Sequence, residues 1–478
     1  MSAALFGANV GAHAASGSGQ PLRFHFLGIC GTAMGAVAAM LKDQGHIVSG
    51  SDTGVYPPMS LFLEKKGIPA GNGFSADHLP EDKETLIVVG NAVKRGNPEL
   101  EVALEQKRLC LSLPEVLKYF FLTKSHNLVV TGTHGKTTTT SLLAWLFQHA
   151  GKEPSYLIGG LPHNFAEGCR KQAGSHWIIE GDEYDTAYFD KRSKFLHYLP
   201  ELVIINNIEF DHADIYDDLA AIQLSFKRLV RIIPRNGIIL VNADDANARA
   251  VIEESPAPIL EVGFSPNAGA KIEEVSYHPD RSEFTLFKHR FTVPLVGEFN
   301  VRNAAMAVAA AHFYQIPLET IAEGLALFQG IRRRQEVRGE RKGVTVIDDF
   351  GHHPTAIGET LRGLRHRYAG RRLWAVFEPR SNTTRRAVFQ ESLPAALGEA
   401  DGVFVAQVAA LEQIPADQRL NPEKVVADLN ARGIPAHYSQ NADTIVATLV
   451  PLLKETDVVV IFSNGGFGGI HEKLLGAI

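Results

Sequence analysis

Thr131-Gly132-Thr133-His134-Gly135-Lys136-Thr137-Thr138-Thr139 lies between an apolar run, Leu128-Val129-Val130, and a second one, Ser141-Leu142-Leu143-Ala144-Trp145-Leu146-Phe147. A strand that feeds a glycine turn, with Lys-Thr at a helix start, presents backbone N–H groups and an ammonium to nucleoside phosphates. In that reading Lys136 faces the β- and γ-phosphates and the Thr137 hydroxyl holds Mg²⁺. The spacing departs from the common phosphate loop, which carries a glycine where Val130 stands. A polar strand–helix connection is the bland alternative.

Upstream, Arg23-Phe24-His25-Phe26-Leu27 reads as a strand opening into Gly28-Ile29-Cys30-Gly31-Thr32-Ala33-Met34-Gly35. A helix over 36–44 and a strand over 46–50 follow, ending at Ser51-Asp52, 24 positions after Gly28. This is the β-α-β half of a nucleotide-binding Rossmann unit. Cys30 and Ala33 stand where glycines would be expected, so a redox dinucleotide is poorly supported. A diphosphate on the helix N-terminus stays open. A strand over 85–89 leads to Gly90-Asn91-Ala92-Val93-Lys94-Arg95-Gly96-Asn97-Pro98-Glu99, and 122–125 reads as a linker.

Downstream, apolar runs at 177–179, 202–205 and 237–241 alternate with helical stretches, the pattern of a parallel sheet covered by helices. Shorter alternating strands over 258–296 suggest an antiparallel flap, and helices are expected over 301–313 and 316–327. A third α/β unit has strands at 344–347, 373–377, 402–405 and 458–462. The expected fold is α/β in three domains, 22–125, 126–331 and 332–478, after a tail over 1–21.

At 478 residues, about three domains is also the length prior. Hydrophobic content of 45% and charge of 21% describe an ordinary globular chain. A net charge of −6 argues against nucleic acid and against a polybasic membrane patch. Cys30, Cys110 and Cys169 show no CxxC spacing, which excludes a disulfide framework and fits a reducing cytosol. No apolar run reaches the ~18–20 residues of a membrane span. The first twenty residues lack the basic start and apolar core of a secretory signal and read as a disordered or engineered tail.

The middle strands end in polar clusters, and ligands of open α/β sheets bind beyond strand carboxyl ends. Glu180-Gly181-Asp182-Glu183-Tyr184-Asp185 packs four carboxylates into six residues, and Glu209-Phe210-Asp211-His212-Ala213-Asp214 adds an imidazole. Such groups beside a triphosphate can complete the Mg²⁺ octahedron. Asn300 and Asn303 share one helical face, suited either to an adenine edge or to a cap plus a buried contact. Arg332-Arg333-Arg334 is a phosphate clamp or a basic hinge, and Asp348-Asp349-Phe350-Gly351-His352-His353-Pro354 falls at a strand end. Glu378-Pro379-Arg380-Ser381-Asn382-Thr383-Thr384-Arg385-Arg386 and Ser463-Asn464-Gly465-Gly466 read as anion-binding loops.

In this order the motifs resemble the Mur ligase superfamily, the ATP-dependent amide ligases of peptidoglycan assembly. The carriers are Gly132 to Thr137, Glu180-Gly181-Asp182-Glu183, Asp211 to Asp214, Asn300 to Asn303, Arg333-Arg334 and Asp349 to Pro354. The resemblance implies a UDP-sugar-binding Rossmann-like first domain, a P-loop-type ATPase in the centre and a peptide-binding Rossmann-like third domain. It further implies catalysis by Lys136, Glu180 and His212. ATP would lie on Gly132, Thr133, His134, Gly135, Lys136, Thr137, Thr138, Asn300, Asn303, Arg334 and Asp349. Metal would sit on Thr137, Glu180 and His212 as two Mg²⁺ ions. Gly28, Gly31, Thr32, Met34, Ser51, Asp52, Asn91 and Asn97 would take the UDP-sugar. His352, His353, Glu378, Arg380, Arg385, Ser463 and Asn464 would take a peptide.

Cys30 to Met34, Tyr184, Phe210 and the 463–471 loop are similar to the branch that ligates the tripeptide L-alanyl-γ-D-glutamyl-meso-diaminopimelate to UDP-N-acetylmuramate. The branch that adds L-alanine is the alternative, and an NAD-dependent oxidoreductase is a more distant one. The implied partners are ATP and these small molecules, with no nucleic acid and no membrane, for a cytoplasmic monomer. Some relatives carry a carbamylated lysine, and Lys227, fifteen residues after His212, stands roughly there. A solvent-facing helix lysine is the other reading.

Overall fold

The computed structural model describes residues 21–408, 411 and 414–478. Most of the expected tail therefore lies outside the described residues. Three α/β units, each with its own largely parallel sheet, follow one another along the chain.

The first sheet orders its strands Ala70–Asn72, Ile47–Asp52, Arg23–Leu27, Leu86–Val89 and Cys110–Ser112, all parallel. Its central strand is buried over Phe24 to Leu27 because helices cover both faces. The second sheet has eight strands with His126–Thr131 near its middle, between Leu202–Ile205 and His176–Glu180. Leu202 to Ile205 and Ile238 to Asn242 are buried throughout, which explains why their residues are continuously apolar rather than alternating. The third sheet pairs Val344–Asp349, Val458–Phe462, Leu373–Phe377, Gly402–Ala406 and Ala436–Ser439 in parallel, with Glu336–Arg341 antiparallel at the edge.

The expected flap over 258–296 divides in two. Ile259–Gly263 joins the large sheet in parallel, while Glu273–Tyr277, Ser282–Leu286 and His289–Val293 form a separate antiparallel sheet. Ser282–Leu286 and His289–Val293 alternate in burial, whereas Ile259–Gly263 runs from exposed to buried beside the two-residue edge strand Ala270–Lys271. A hairpin, Asp185–Ala187 with Asp190–Ser193, was not expected, because its strands are too short and polar to stand out.

The first two units share one apolar cluster in which Phe121 meets Trp177 edge-on at 5.9 Å. Helix Lys136–His149 is roofed by Glu298–Phe313, a helix buried on nearly all sides and accordingly rich in alanine. No described helix is long and apolar enough to cross a membrane.

Candidate active site

Two glycines shape the central loop. Gly132 (φ +128°) has Asn206 and Asn207 where a Cβ would stand, at 3.0 Å, and Gly135 (φ +78°) has the Asn303 carboxamide there. A side chain at either position would meet neighbours in a backbone conformation that favours glycine. Asn207 stitches the loop down: its carbonyl accepts from Thr133 N–H at 3.0 Å and its Oδ1 from His134 N–H at 2.7 Å. Helix Lys136–His149 then starts without a side-chain cap, leaving its N-terminal end to an anion.

Lys136 Nζ donates to the carbonyls of Gly132 (2.6 Å) and Thr133 (3.2 Å) and to both oxygens of Glu183 (3.0 and 2.9 Å). Burial works against its charge, but Glu183 and Asp182 hold its pKa above the usual lysine value. Burial likewise opposes the Glu183 carboxylate, which Lys136 and His212 keep below its ordinary value. Glu180 accepts from the Thr137 hydroxyl at 2.9 Å and from Gly159 N–H at 2.7 Å. Burial nevertheless pushes Glu180 up. This is a carboxylate short of positive charge.

His212 lies 3.1 Å from Glu183 Oε1. Burial lowers its pKa, yet the hydrogen bond and charge of Glu183 win and push it up to about 9. Ligand atoms of Asp182, Glu183 and His212 fall within 4.8 Å of one another, as do those of His134, Glu209 and His353. His212 is thus grouped with Asp182 and Glu183, whereas the expected set paired it with Glu180. Glu183 went unrecognised as the hub because nothing in the sequence tells which of four clustered carboxylates turns toward Lys136.

One cleft of about 1090 Å³ collects the expected groups from all three units. The first unit contributes Gly31, Thr32, Met34 and Asn91. Helix Thr32–Asp43 starts uncapped there, after a turn braced by Asp52, whose Oδ2 accepts Cys30 N–H at 2.9 Å. Gly28 (φ +86°) makes that turn, its N–H bonded to the Ser51 carbonyl. Two residues expected on the UDP-sugar point elsewhere. Ser51 donates its hydroxyl to buried Glu99 at 2.7 Å, and Asn97 caps helix Pro98–Glu105. Glu99 also holds His25, His78 and the Ser75 N–H, a polar knot under the sheet that sequence reading missed.

Thr133 to Thr138, Glu180, His212, Asn300 and Asn303 line the central wall. Asn300 is no cap: Gly297 holds that position, and Asn300 Nδ2 donates to the Val296 carbonyl at 2.8 Å. Asn303 Oδ1 accepts from Thr139 at 3.2 Å.

From the third unit come Arg334, Asp349, His352 and His353. Arg334 spreads over the Phe350 ring at 5.2 Å and lies 3.5 Å from the Thr137 hydroxyl. Asp349 accepts from the N–H groups of Gln335 (2.9 Å) and Gly351 (2.7 Å), while burial raises its pKa. The His353 ring lies tilted at 48° to that of His134, 4.3 Å between centres, beside the phosphate loop. His352 Nε2 lies 3.6 Å from Asp211, so His352 and His353 both stand apart from the other residues expected on a peptide.

Glu378, Arg380, Arg385, Ser463 and Asn464 lie off this cleft. Glu378 lines a smaller cavity of about 420 Å³ at the carboxyl ends of the third sheet and accepts the Ser463 hydroxyl. Lys227 is exposed on helix Leu219–Arg231 and reaches no part of the cleft.

Residues 23–124 match the Mur ligase family catalytic domain, 130–311 the Mur ligase middle domain and 333–465 the Mur ligase glutamate ligase domain. The UDP-N-acetylmuramate–L-alanyl-γ-D-glutamyl-meso-2,6-diaminoheptandioate ligase of Escherichia coli K12 is 43% identical over 95% of this chain and 98% of its own length. The ligase of the same name from Haemophilus influenzae is 42% identical over 94% and 98%. The crystal structure of a murein peptide ligase from Psychrobacter arcticus matches with a TM-score of 0.70 at 36% identity, covering 95% of this chain and 98% of that one.

Proposed function

Because the chain belongs to the Mur ligase family, we propose that it joins L-alanyl-γ-D-glutamyl-meso-diaminopimelate to the lactyl carboxylate of UDP-N-acetylmuramate, with conversion of ATP to ADP and phosphate. The observation that carries this reading is the single cleft in which the uncapped helix after Gly31, the Lys136 loop and Asp349 meet. An anion site for a UDP-sugar and one for a triphosphate then face each other within one chain. No second subunit is needed, and a monomer working in the cytoplasm, where ATP and UDP-sugars are made, suffices.

The reaction divides into two displacements. First the lactyl carboxylate attacks the γ-phosphorus; its O–P bond forms as the β–γ bridge breaks and ADP leaves. Lys136 and the loop N–H groups stabilise the negative charge spread over the transferring phosphoryl group. Arg334 adds a guanidinium to the same oxygens. The peptide amine then attacks the acyl carbon, a C–N bond forms through a tetrahedral intermediate, and phosphate departs as the amine gives up its proton.

Hard oxygen donors suit Mg²⁺. Thr137 and Glu180 fit it on their own evidence, since burial leaves Glu180 wanting a cation. When bound, Mg²⁺ neutralises phosphate oxygens and holds them in line. A second ion at His212 would require that imidazole to give up the proton that Glu183 now favours. Asn300 and Asn303 face the adenine and Asp349 the ribose. The first and third sheets correspond to UDP-sugar and peptide domains over 22–125 and 332–478, with the ATPase over 126–331.

The test offers the protein ATP, Mg²⁺ and UDP-N-acetylmuramate with either the tripeptide or L-alanine and follows phosphate. Release with the tripeptide is expected; release with L-alanine alone overturns the peptide assignment.

A further inference from the structure

His212 stands in a left-handed backbone conformation (φ +54°) that a non-glycine residue holds only when its surroundings enforce it. The residues on either side show what enforces it. Buried Asp211 accepts the Thr383 hydroxyl at 2.6 Å, and Ala213 N–H donates to that same hydroxyl at 3.3 Å. Next along the chain, Asp214 accepts Asn382 Nδ2 at 2.7 Å together with the Tyr184 hydroxyl. The Tyr184 ring in turn stands edge-on to the His212 imidazole at 5.2 Å. Consecutive residues of the third unit therefore grip both carboxylates that bracket His212 and Ala213 of the second.

We propose that Asn382 and Thr383 are positioning residues for His212: the third unit sets the catalytic imidazole by clasping Asp211 and Asp214. The inference rests on the reading of His212 as part of the phosphoryl-transfer site. It ties that site to the acceptor side, because Arg385 donates to Asn382 Oδ1 at 2.7 Å and so orients the amide that reaches Asp214. A loop expected to read the peptide thereby reports its own placement to the ATP site. Ligation stays coupled to correct seating of the third unit, and ATP is spared hydrolysis when that unit is displaced.

Thr383→Val removes the hydroxyl while keeping the side-chain shape, and Thr383→Ser restores it. Thr383→Val is expected to lower kcat about 10²-fold while KM for ATP stays within about twofold, because no ATP-facing side chain changes. In the ligand-free protein, hydrogen exchange of the 212–216 amides should speed up in Thr383→Val and return to the wild-type rate in Thr383→Ser. Asn382→Ala, at an exposed position, should shift kcat and exchange in the same direction should the valine variant fold poorly. Unchanged exchange at 212–216 in both Thr383→Val and Asn382→Ala overturns the proposal, as does equal impairment of the Val and Ser variants. A wild-type protein that releases no phosphate with any acceptor would refute the proposed reaction, while the exchange comparison still decides the clasp.

Discussion

Lys136 and Glu183 form a two-point ion pair, with Nζ 3.0 and 2.9 Å from the two carboxylate oxygens, directly under the turn that would hold a triphosphate. A buried carboxylate keeps the ammonium charged and pinned, so the charge is in place before ATP arrives. Glu183 also bonds His212, so one carboxylate orders both Lys136 and His212.

Lys136→Ala should lower kcat about 10²–10³-fold, the usual loss when one preorganised donor to transition-state charge is removed. UDP-sugar binding, measured by calorimetry, should stay within about twofold, since Gly31 and Thr32 lie in another unit. Phosphate release that survives this change would mean the loop is not the ATP cradle.

Chelation of divalent ions should stop phosphate release and added Mg²⁺ should restore it. Glu180→Gln should raise the Mg²⁺ concentration for half-maximal rate by about tenfold or more, because it removes the charge that Thr137 and Gly159 leave uncompensated. An unchanged Mg²⁺ dependence would remove Glu180 from the ion's ligands.

Lys227→Ala should keep the wild-type rate within about twofold and show no response to bicarbonate. An exposed side chain away from the cleft has no route to a metal there. Loss of activity that added small carboxylic acids rescue would establish a carbamylated lysine instead.

Acid should loosen the first unit through Glu99. Burial works to raise this carboxyl, but hydrogen bonds from His25, Ser51 and Ser75 hold it below its ordinary value. The folded state therefore holds its proton less tightly than the unfolded chain. The resulting stability is complete above the usual glutamate range, near about 4.3, and is lost as pH falls through the lowered folded value. Glu99→Gln should cost about 1–3 kcal/mol at neutral pH and flatten the acid limb of thermal stability. An acid limb identical to wild type would assign it to other carboxylates.

The loop Thr131 to Thr139, the α/β alternation and the strand-end clusters were legible in the sequence because each depends on residues a few positions apart. Parallel strands buried on both faces must be continuously apolar, and a phosphate turn must carry its glycines, lysine and threonine together. Ile259 to Gly263 misled because Glu261 interrupts its apolar run and only its last two residues are buried. Ser51 and Asn97 misled because a polar side chain near a nucleotide loop serves equally well as an internal bond or a helix cap.

Local chemistry in the sequence thus determined the fold class, the triphosphate loop and the set of groups available to a metal. The tertiary structure alone decided which carboxylate receives Lys136, which side of Asn382 faces Asp214, and that Thr383 reaches Asp211 across 172 positions. Those choices are made between side chains far apart along the chain. They follow from how three sheets pack against one another, information that no local spacing carries.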